Sequence, residues 1–270
     1  MSDLLVDHFR LKAQPFGKQL PDVDLWLDPS RKLAVERLVG AVTNRQHALV
    51  RGDPGVGKNC LVRAMRARLS PNQFRIVYVA NVTVGRRDFY RQLSLALGLE
   101  PRGTAAAVFE AIQREARASW TEHRIHPVLI IDEAHLMPES TLGHLHVLAN
   151  FDMDSSPLLS LILVGLPELH DRLRLGVHRS LLTRIPTLVD IQPTTPDDTA
   201  AYVTARLETV GARPGIFASD ALIAIHELAA GVPRVIDTIA EGAMRVAMGK
   251  NEQQVDRFAV RVAFKGTPLA

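Results

Sequence analysis

The sequence predicts an α/β fold, a parallel sheet layered between helices (αβα), followed by a smaller all-helical domain. Three observations carry this. Residues 45–190 alternate short apolar runs with stretches of helical periodicity, the order expected of βα units around a parallel sheet. A glycine-rich turn at 52–58 falls between a strand-like run and a helical one. Residues 195–264 hold helical patterns only. The boundaries read as a lead and first helix over 1–44, the α/β core over 45–192 and the helical domain over 193–270.

Taken in order, residues 1 to about 40 form an irregular, proline-containing lead that ends in a helix from Pro29 to Val42, with Leu33, Leu38 and Val39 on one face. HALVRG (47–52) is strand-like and NCLVRAMRARL (59–69) helical; RIVYVANV (75–82) is a strand and RDFYRQLSLALGL (87–99) a helix. TAAAVFEAIQREARASW (104–120) is helical and PVLIID (127–132) a buried strand. ESTLGHLHVLANF (139–151) reads as a helix, SLILVG (160–165) as a strand and ELHDRLRLGVHRSLLTRI (168–185) as a helix. Thr195-Pro196-Asp197-Asp198 is a helix N-terminal cap. Ser219 is placed to open the next helix.

Composition excludes several classes. With 47% hydrophobic and 23% charged residues in 270, the chain is an ordinary globular one with ample core. Its longest apolar runs, 128–131 and 158–166, are too short to span a bilayer. MSDLLVDHFR lacks a signal-peptide pattern. The single cysteine, Cys60, forms no intramolecular disulfide and suits a reducing compartment, so the expected location is the cytoplasm, with no membrane partner. The pI of about 9.2 rests mainly on arginine, which suits phosphate contacts.

Chemistry concentrates at two motifs. Gly52-Asp53-Pro54-Gly55-Val56-Gly57-Lys58 fits the phosphate-binding loop G-x-x-x-x-G-K, in which backbone N–H groups and a helix N-terminus face phosphates and the lysine reaches the terminal ones. Asn59, followed by Cys60, replaces the hydroxyl residue that ordinarily ligates Mg²⁺. The second motif, PVLIIDEAH (127–135), ends a buried strand in Asp132-Glu133, at the sheet edge where the loop lies. Asp132 would hold Mg²⁺ and Glu133 would polarise the attacking water. An acidic helix cap after a core strand is the alternative reading. An Asn amide oxygen can bind a hard cation, but its longer side chain fits the hydroxyl's place poorly. ATP binding is expected to survive because the loop backbone and Lys58 supply most of the contacts, with slower hydrolysis.

These motifs, with HFRLKAQPF (8–16), LILVGLPEL (161–169), LLTRI (181–185) and ELAAGVPRVID (227–237) in the same order, resemble the AAA+ ATPases of the ExeA type and the transposition ATPases of the TniB and IstB kind. The resemblance implies a P-loop NTPase core with a helical lid, using ATP and Mg²⁺. It gives Arg184 the place of an arginine finger that enters a neighbouring subunit's site, with Arg179 as runner-up. A helix C-terminal arginine favoured by the dipole is the alternative for Arg184. Arg234, in GVPR, matches the lid's second sensor of the γ-phosphate. Leu166 stands where relatives often carry a polar first sensor, and Asn81 fits a polar switch beside Glu133.

ExeA-type proteins carry a membrane span and a peptidoglycan-binding segment beyond the ATPase part. Their absence here turns the expectation to the soluble branch: an ATP-dependent ring or filament of the chain on double-stranded DNA, sequence-nonspecific, regulating a transposase. Arg86 and Arg87 match the loop facing the DNA channel, with Arg91 and Arg102 behind them; solvated arginines at a helix start are the alternative. A secretion-assembly ATPase, a nucleotide-binding scaffold without turnover and a helicase loader are the other readings. His144 and His146 lack carboxylate partners at zinc spacing.

Overall fold

The computed structural model describes residues 4–17, 21–268 and 270; residues 1–3 and 18–20 of the lead lie outside it. Five strands form one parallel sheet in the order β2-β3-β4-β1-β5: β1 Ala48–Gly52, β2 Phe74–Val79, β3 His126–Ile131, β4 Ser160–Gly165 and β5 Thr187–Ile191. Central β3 and β4 are buried at every residue, whereas edge strand β2 is buried only at Val77 and Val79. That is why PVLIID and SLILVG read as unbroken apolar runs while the β2 run contains Arg75 and Tyr78.

The helices are α1 Leu4–Phe9, α2 Pro29–Thr43, α3 Lys58–Arg68, α4 Arg86–Ala96, α5 Ala105–Thr121, α6 Glu139–Leu142, α7 Leu145–Leu148, α8 Pro167–Arg174, α9 Arg179–Leu182, α10 Pro196–Thr209, α11 Ser219–Ala229, α12 Pro233–Gly249 and α13 Arg257–Lys265. The chain divides into two compact units. The sheet unit comprises Arg31–Pro54 and Leu61–Ile191; the helical unit comprises the described residues of Met1–Ser30, Gly55–Cys60 and Gln192–Ala270.

Several local expectations are corrected. The lead is not wholly irregular: α1 buries Leu5 and Phe9, an i, i+4 pair, in the core of the helical unit. Six residues are too few to show periodicity or to hold a helix in water, so tertiary packing stabilises it. The buried Arg206 of α10 adds an anchor, donating Nε–H to the Pro15 carbonyl at 2.8 Å and Nη2–H to that of Gly17 at 2.9 Å. In α2 the buried face is Val35, Leu38 and Val42, and Leu33 is exposed. The stretch 139–151 forms two one-turn helices, α6 and α7, rather than one. The stretch 168–185 breaks at Leu175, whose extended backbone (ψ 143°) separates α8 from α9. Arg184 therefore lies in the turn after α9, not at a helix end. Thr195 caps α10 as expected, accepting from the Asp198 N–H at 3.2 Å. Ser219 is the first helical residue of α11 behind Ala218, with no side-chain cap.

Two histidines, the buried His126 and the half-buried His47, are expected to make the sheet unit acid-sensitive. His47 Nδ1 accepts the Leu161 N–H at 3.1 Å, which requires an unprotonated nitrogen. Burial, then the charge of Arg184, lowers its pKa to about 4. His126 faces Ser160 Oγ at 2.9 Å, and burial, then Arg45 and His47, also lowers it to about 4. Below the ordinary pKa of 6.5 the unfolded chain binds protons that the folded one refuses. The stability is thus present above pH 6.5 and lost as pH falls towards 4, about 3 kcal/mol for the 1% exposed His126. In the helical unit Asp237 has the opposite sign: burial raises its pKa to about 6 against the pull of Arg206. Its contribution is present below pH 3.8 and lost as pH rises through about 6. Denaturant unfolding followed by Trp120 in a Trp26→Phe variant should show the sheet unit weakening between pH 6.5 and 4. An unchanged midpoint across that range would refute it.

No helix among the described residues is long and apolar enough to cross a membrane.

Candidate nucleotide site

The glycine loop begins where β1 ends, at Gly52, and Lys58 is the first residue of α3. Gly55 and Gly57 hold φ of +82° and +104°, conformations that L side chains rarely adopt. Val56 and Lys58 are buried, while Asp53, Pro54, Asn59 and Cys60 are exposed. Runs of N–H groups in such a turn, ending at a helix N-terminus, form a concave anion cradle.

Within the helical unit the loop meets the start of α12. The Arg234 N–H donates to the Gly55 carbonyl at 3.3 Å. A Cβ added at Gly55 would lie 3.0 Å from Val232 Cγ1 and 3.1 Å from Arg234 Cβ. Glycine at 55 is thus required twice over, by its φ and by this approach. Pro233 starts α12 and presets its first turn, leaving Arg234 exposed at the loop.

In the sheet unit, Asp132 follows β3 directly, and β4 lies between β3 and β1, so Asp132 and Gly52 leave the same C-terminal edge. The Asp132 carboxylate is 4% exposed and accepts two bonds, from Tyr78 O–H at 2.6 Å and from the Glu133 N–H at 2.9 Å. Burial, then the hydrogen bond to Asp132 and the two nearby carboxylate charges, holds the Tyr78 hydroxyl protonated far above its usual range. Glu133 has a left-handed backbone (φ 51°, ψ 31°), costly for a non-glycine residue. Its carboxylate lies 3.6 Å from His135 Nε2. Asn81 is exposed and accepts from Thr83 Oγ1 at 3.4 Å.

Arg184 is held by its own chain: Nη2 lies 2.9 Å from Asp154 Oδ2, and Nη1–H donates to the Ser180 carbonyl at 2.7 Å. Arg179 is exposed at the start of α9. Arg86 and Arg87 are exposed in the first turn of α4 behind the N-cap Gly85; Arg91 is half-buried, and Arg102 pairs with Glu100. His144 is hydrogen-bonded to Tyr90, a packing role. Sequence reasoning missed Tyr78 and His135. Tyr78 pairs in register with Ile130, which puts it on the Asp132 face, a relation fixed by strand pairing. His135 was visible only as the last letter of the carboxylate motif.

Taken unit by unit, the glycine turn and Lys58 of the helical unit suit a phosphate, and the buried carboxylate of the sheet unit suits a hard cation. Asp132 supplies a buried carboxylate oxygen, and Asn59 an exposed amide oxygen at the start of α3.

A parallel sheet in this order, with a phosphate loop after β1 and an acidic pair after β3, defines the AAA+ P-loop NTPase fold. Residues 42–173 match the model of the AAA domain family. The chain is similar to general secretion pathway protein A of Aeromonas hydrophila, 29% identical over 253 residues. That match covers 90% of the chain but only 46% of the relative. Among solved structures, Cdc6p from Pyrobaculum aerophilum superposes with a TM-score of 0.74 at 16% identity, over 94% of this chain and 70% of that one. The Aeropyrum pernix ORC1 protein, solved in complex with DNA, gives 0.69 at 19% identity, over 94% and 68%. The Thermotoga maritima RuvB Holliday junction branch migration motor gives 0.61 at 16%, over 93% and 73%. At these identities the structural likenesses establish the fold.

Proposed function

We propose that the chain is an ATP-hydrolysing, self-assembling module that couples its nucleotide state to double-stranded DNA and to a transposase in the cytoplasm. The observation that carries the ATP part is the contact of Arg234 and Val232 with Gly55, which ties the start of α12 to the phosphate loop. A nucleotide in the loop is then sensed by the helical unit. The loop N–H groups and Lys58 would bind the phosphates, Asp132 and Asn59 would each offer an oxygen to Mg²⁺, and Glu133 would orient and accept a proton from the attacking water. Mg²⁺, when bound, neutralises phosphate charge. Arg234 reads the γ-phosphate, and Arg184 comes from a neighbouring copy.

Lys58→Ala should remove ATP binding, read with a fluorescent ATP analogue; binding at wild-type affinity would exclude the loop as the site.

For the DNA part, Arg86 and Arg87 support the reading. They are exposed in the first turn of α4, where the helix dipole mildly disfavours cations, which favours a functional reason for them over a solvated helix start. Replacing both by alanine should weaken duplex binding uniformly across sequences and flatten its salt dependence by about one unit of slope per arginine. An unchanged slope would remove them from the DNA interface. The similarity to a general secretion pathway protein favours a second reading, a secretion-assembly ATPase. ATP turnover that rises with long duplex DNA supports the first; co-purification with membranes and no response to DNA supports the second.

A further inference from the structure

We infer that His135 is the positioning residue of the hydrolytic base, joining Glu133 to the turn between β4 and α8. This deepens the ATPase reading above and rests on Glu133 being the base. Three observations within the sheet unit carry it. The Leu166 N–H donates to His135 Nδ1 at 3.4 Å, so Nδ1 carries the lone pair and the proton sits on Nε2. Nε2 is the atom that faces the Glu133 carboxylate, at 3.6 Å. The ring is enclosed, 12% exposed in its side chain, and a Cβ at Gly165 would come within 3.3 Å of its Nδ1 and 2.9 Å of Leu169 Cδ2. Glycine at 165 leaves the space the ring occupies.

The backbone around the ring is fixed as well. Arg172 of α8 donates to the His135 carbonyl at 2.5 Å and to the Met137 carbonyl at 2.8 Å. Its Nη2 also lies 2.8 Å from Glu139 Oε2. Both the backbone and the ring of His135 are thereby referred to β4 and α8, while Glu133 sits in its strained left-handed conformation one residue beyond Asp132. At 3.6 Å the Nε2–carboxylate contact is longer than a hydrogen bond, as such contacts often are without substrate, and it shortens when the base engages its water. The arrangement accounts for Leu166. No polar side chain is needed there, because the Leu166 backbone N–H is the group that signals, and His135 relays it to the base.

The test uses the whole chain, in three variants and one spectrum. Glu133→Gln establishes whether Glu133 is the base. His135→Ala should lower kcat by about a hundredfold, the cost of misplacing a catalytic group by roughly 1 Å, with ATP affinity unchanged. His135→Gln, which keeps an acceptor and a donor on one side chain, should recover most of that loss; a ring needed only for packing would give no such recovery. In the nucleotide-free chain, ring ¹⁵N NMR should show His135 as the Nε2–H tautomer. Full turnover in His135→Ala beside a dead Glu133→Gln overturns the inference, as does the Nδ1–H tautomer. Full turnover in Glu133→Gln overturns the base assignment instead. In a wild type without measurable turnover, the tautomer alone decides.

Discussion

Arg184→Ala is expected to lower ATP turnover of the assembled protein by roughly 10³–10⁵, with ATP binding by each chain unchanged. The reason is that an arginine finger acts on charge that develops at the phosphates of the adjacent copy. In the single chain the guanidinium is occupied instead by Asp154, at 2.9 Å, and by the Ser180 carbonyl, at 2.7 Å. Those contacts are too exposed for their loss to unfold the protein, since ion pairs of this kind contribute about 0–1 kcal/mol. A drop in turnover would therefore report on chemistry. Mixing decides whether the effect crosses between chains. Arg184→Ala chains keep an intact loop but lack the finger, and Lys58→Ala chains keep the finger but lack the loop. A mixture of the two inactive variants should regain activity. If the mixture stays inactive while wild type turns over, Arg184 acts within its own chain, and Arg179 is the next residue to replace.

Gly231→Ala should destabilise the helical unit by more than about 3 kcal/mol, combining the left-handed backbone penalty with overpacking. Gly231 has φ of +72°, and a Cβ there would lie 2.3 Å from the Thr194 carbonyl oxygen. Nothing flexible can yield, because Thr194 is itself bound to Gly231: its N–H and its hydroxyl both donate to the Gly231 carbonyl, at 2.8 and 2.9 Å. Gly215 is the control. Its φ is +81°, but a Cβ there meets nothing within 4 Å, so Gly215→Ala should cost only the backbone penalty, about 1–2 kcal/mol. Thermal melts of the two variants should separate clearly. Equal losses would mean that the close approach at Gly231 is relieved by movement. Gly231 also lies three residues before Arg234, so its variant should weaken ATP binding as well.

The two nucleotide motifs were legible because each is carried by neighbouring residues whose chemistry depends on the local backbone. A glycine loop between strand and helix, and an acidic pair ending an apolar strand, need only short segments to be read. Helix breaks were less legible. The chain leaves helical geometry at Leu175 although 168–185 keeps an apolar period, because the backbone turns there to deliver the buried His178 to Glu139. The lead was misread for a similar reason: α1 exists through Leu5 and Phe9 entering a core built from residues some two hundred positions later in the chain.

The sequence by itself determined the class of fold, the phosphate loop, the acidic pair and the substitution of Asn59 for a hydroxyl. Each follows from local period or composition, and backbone geometry at that range is set by nearest neighbours. Only the tertiary structure decided which side chains serve those motifs. Tyr78 reaches Asp132 through strand register, His135 is oriented by the Leu166 N–H across two strands, and Val232 and Arg234 close on Gly55 from a helix far along the chain. Such pairings depend on how strands align and helices pack, and a one-residue change in the β2–β3 register would turn Tyr78 away from Asp132.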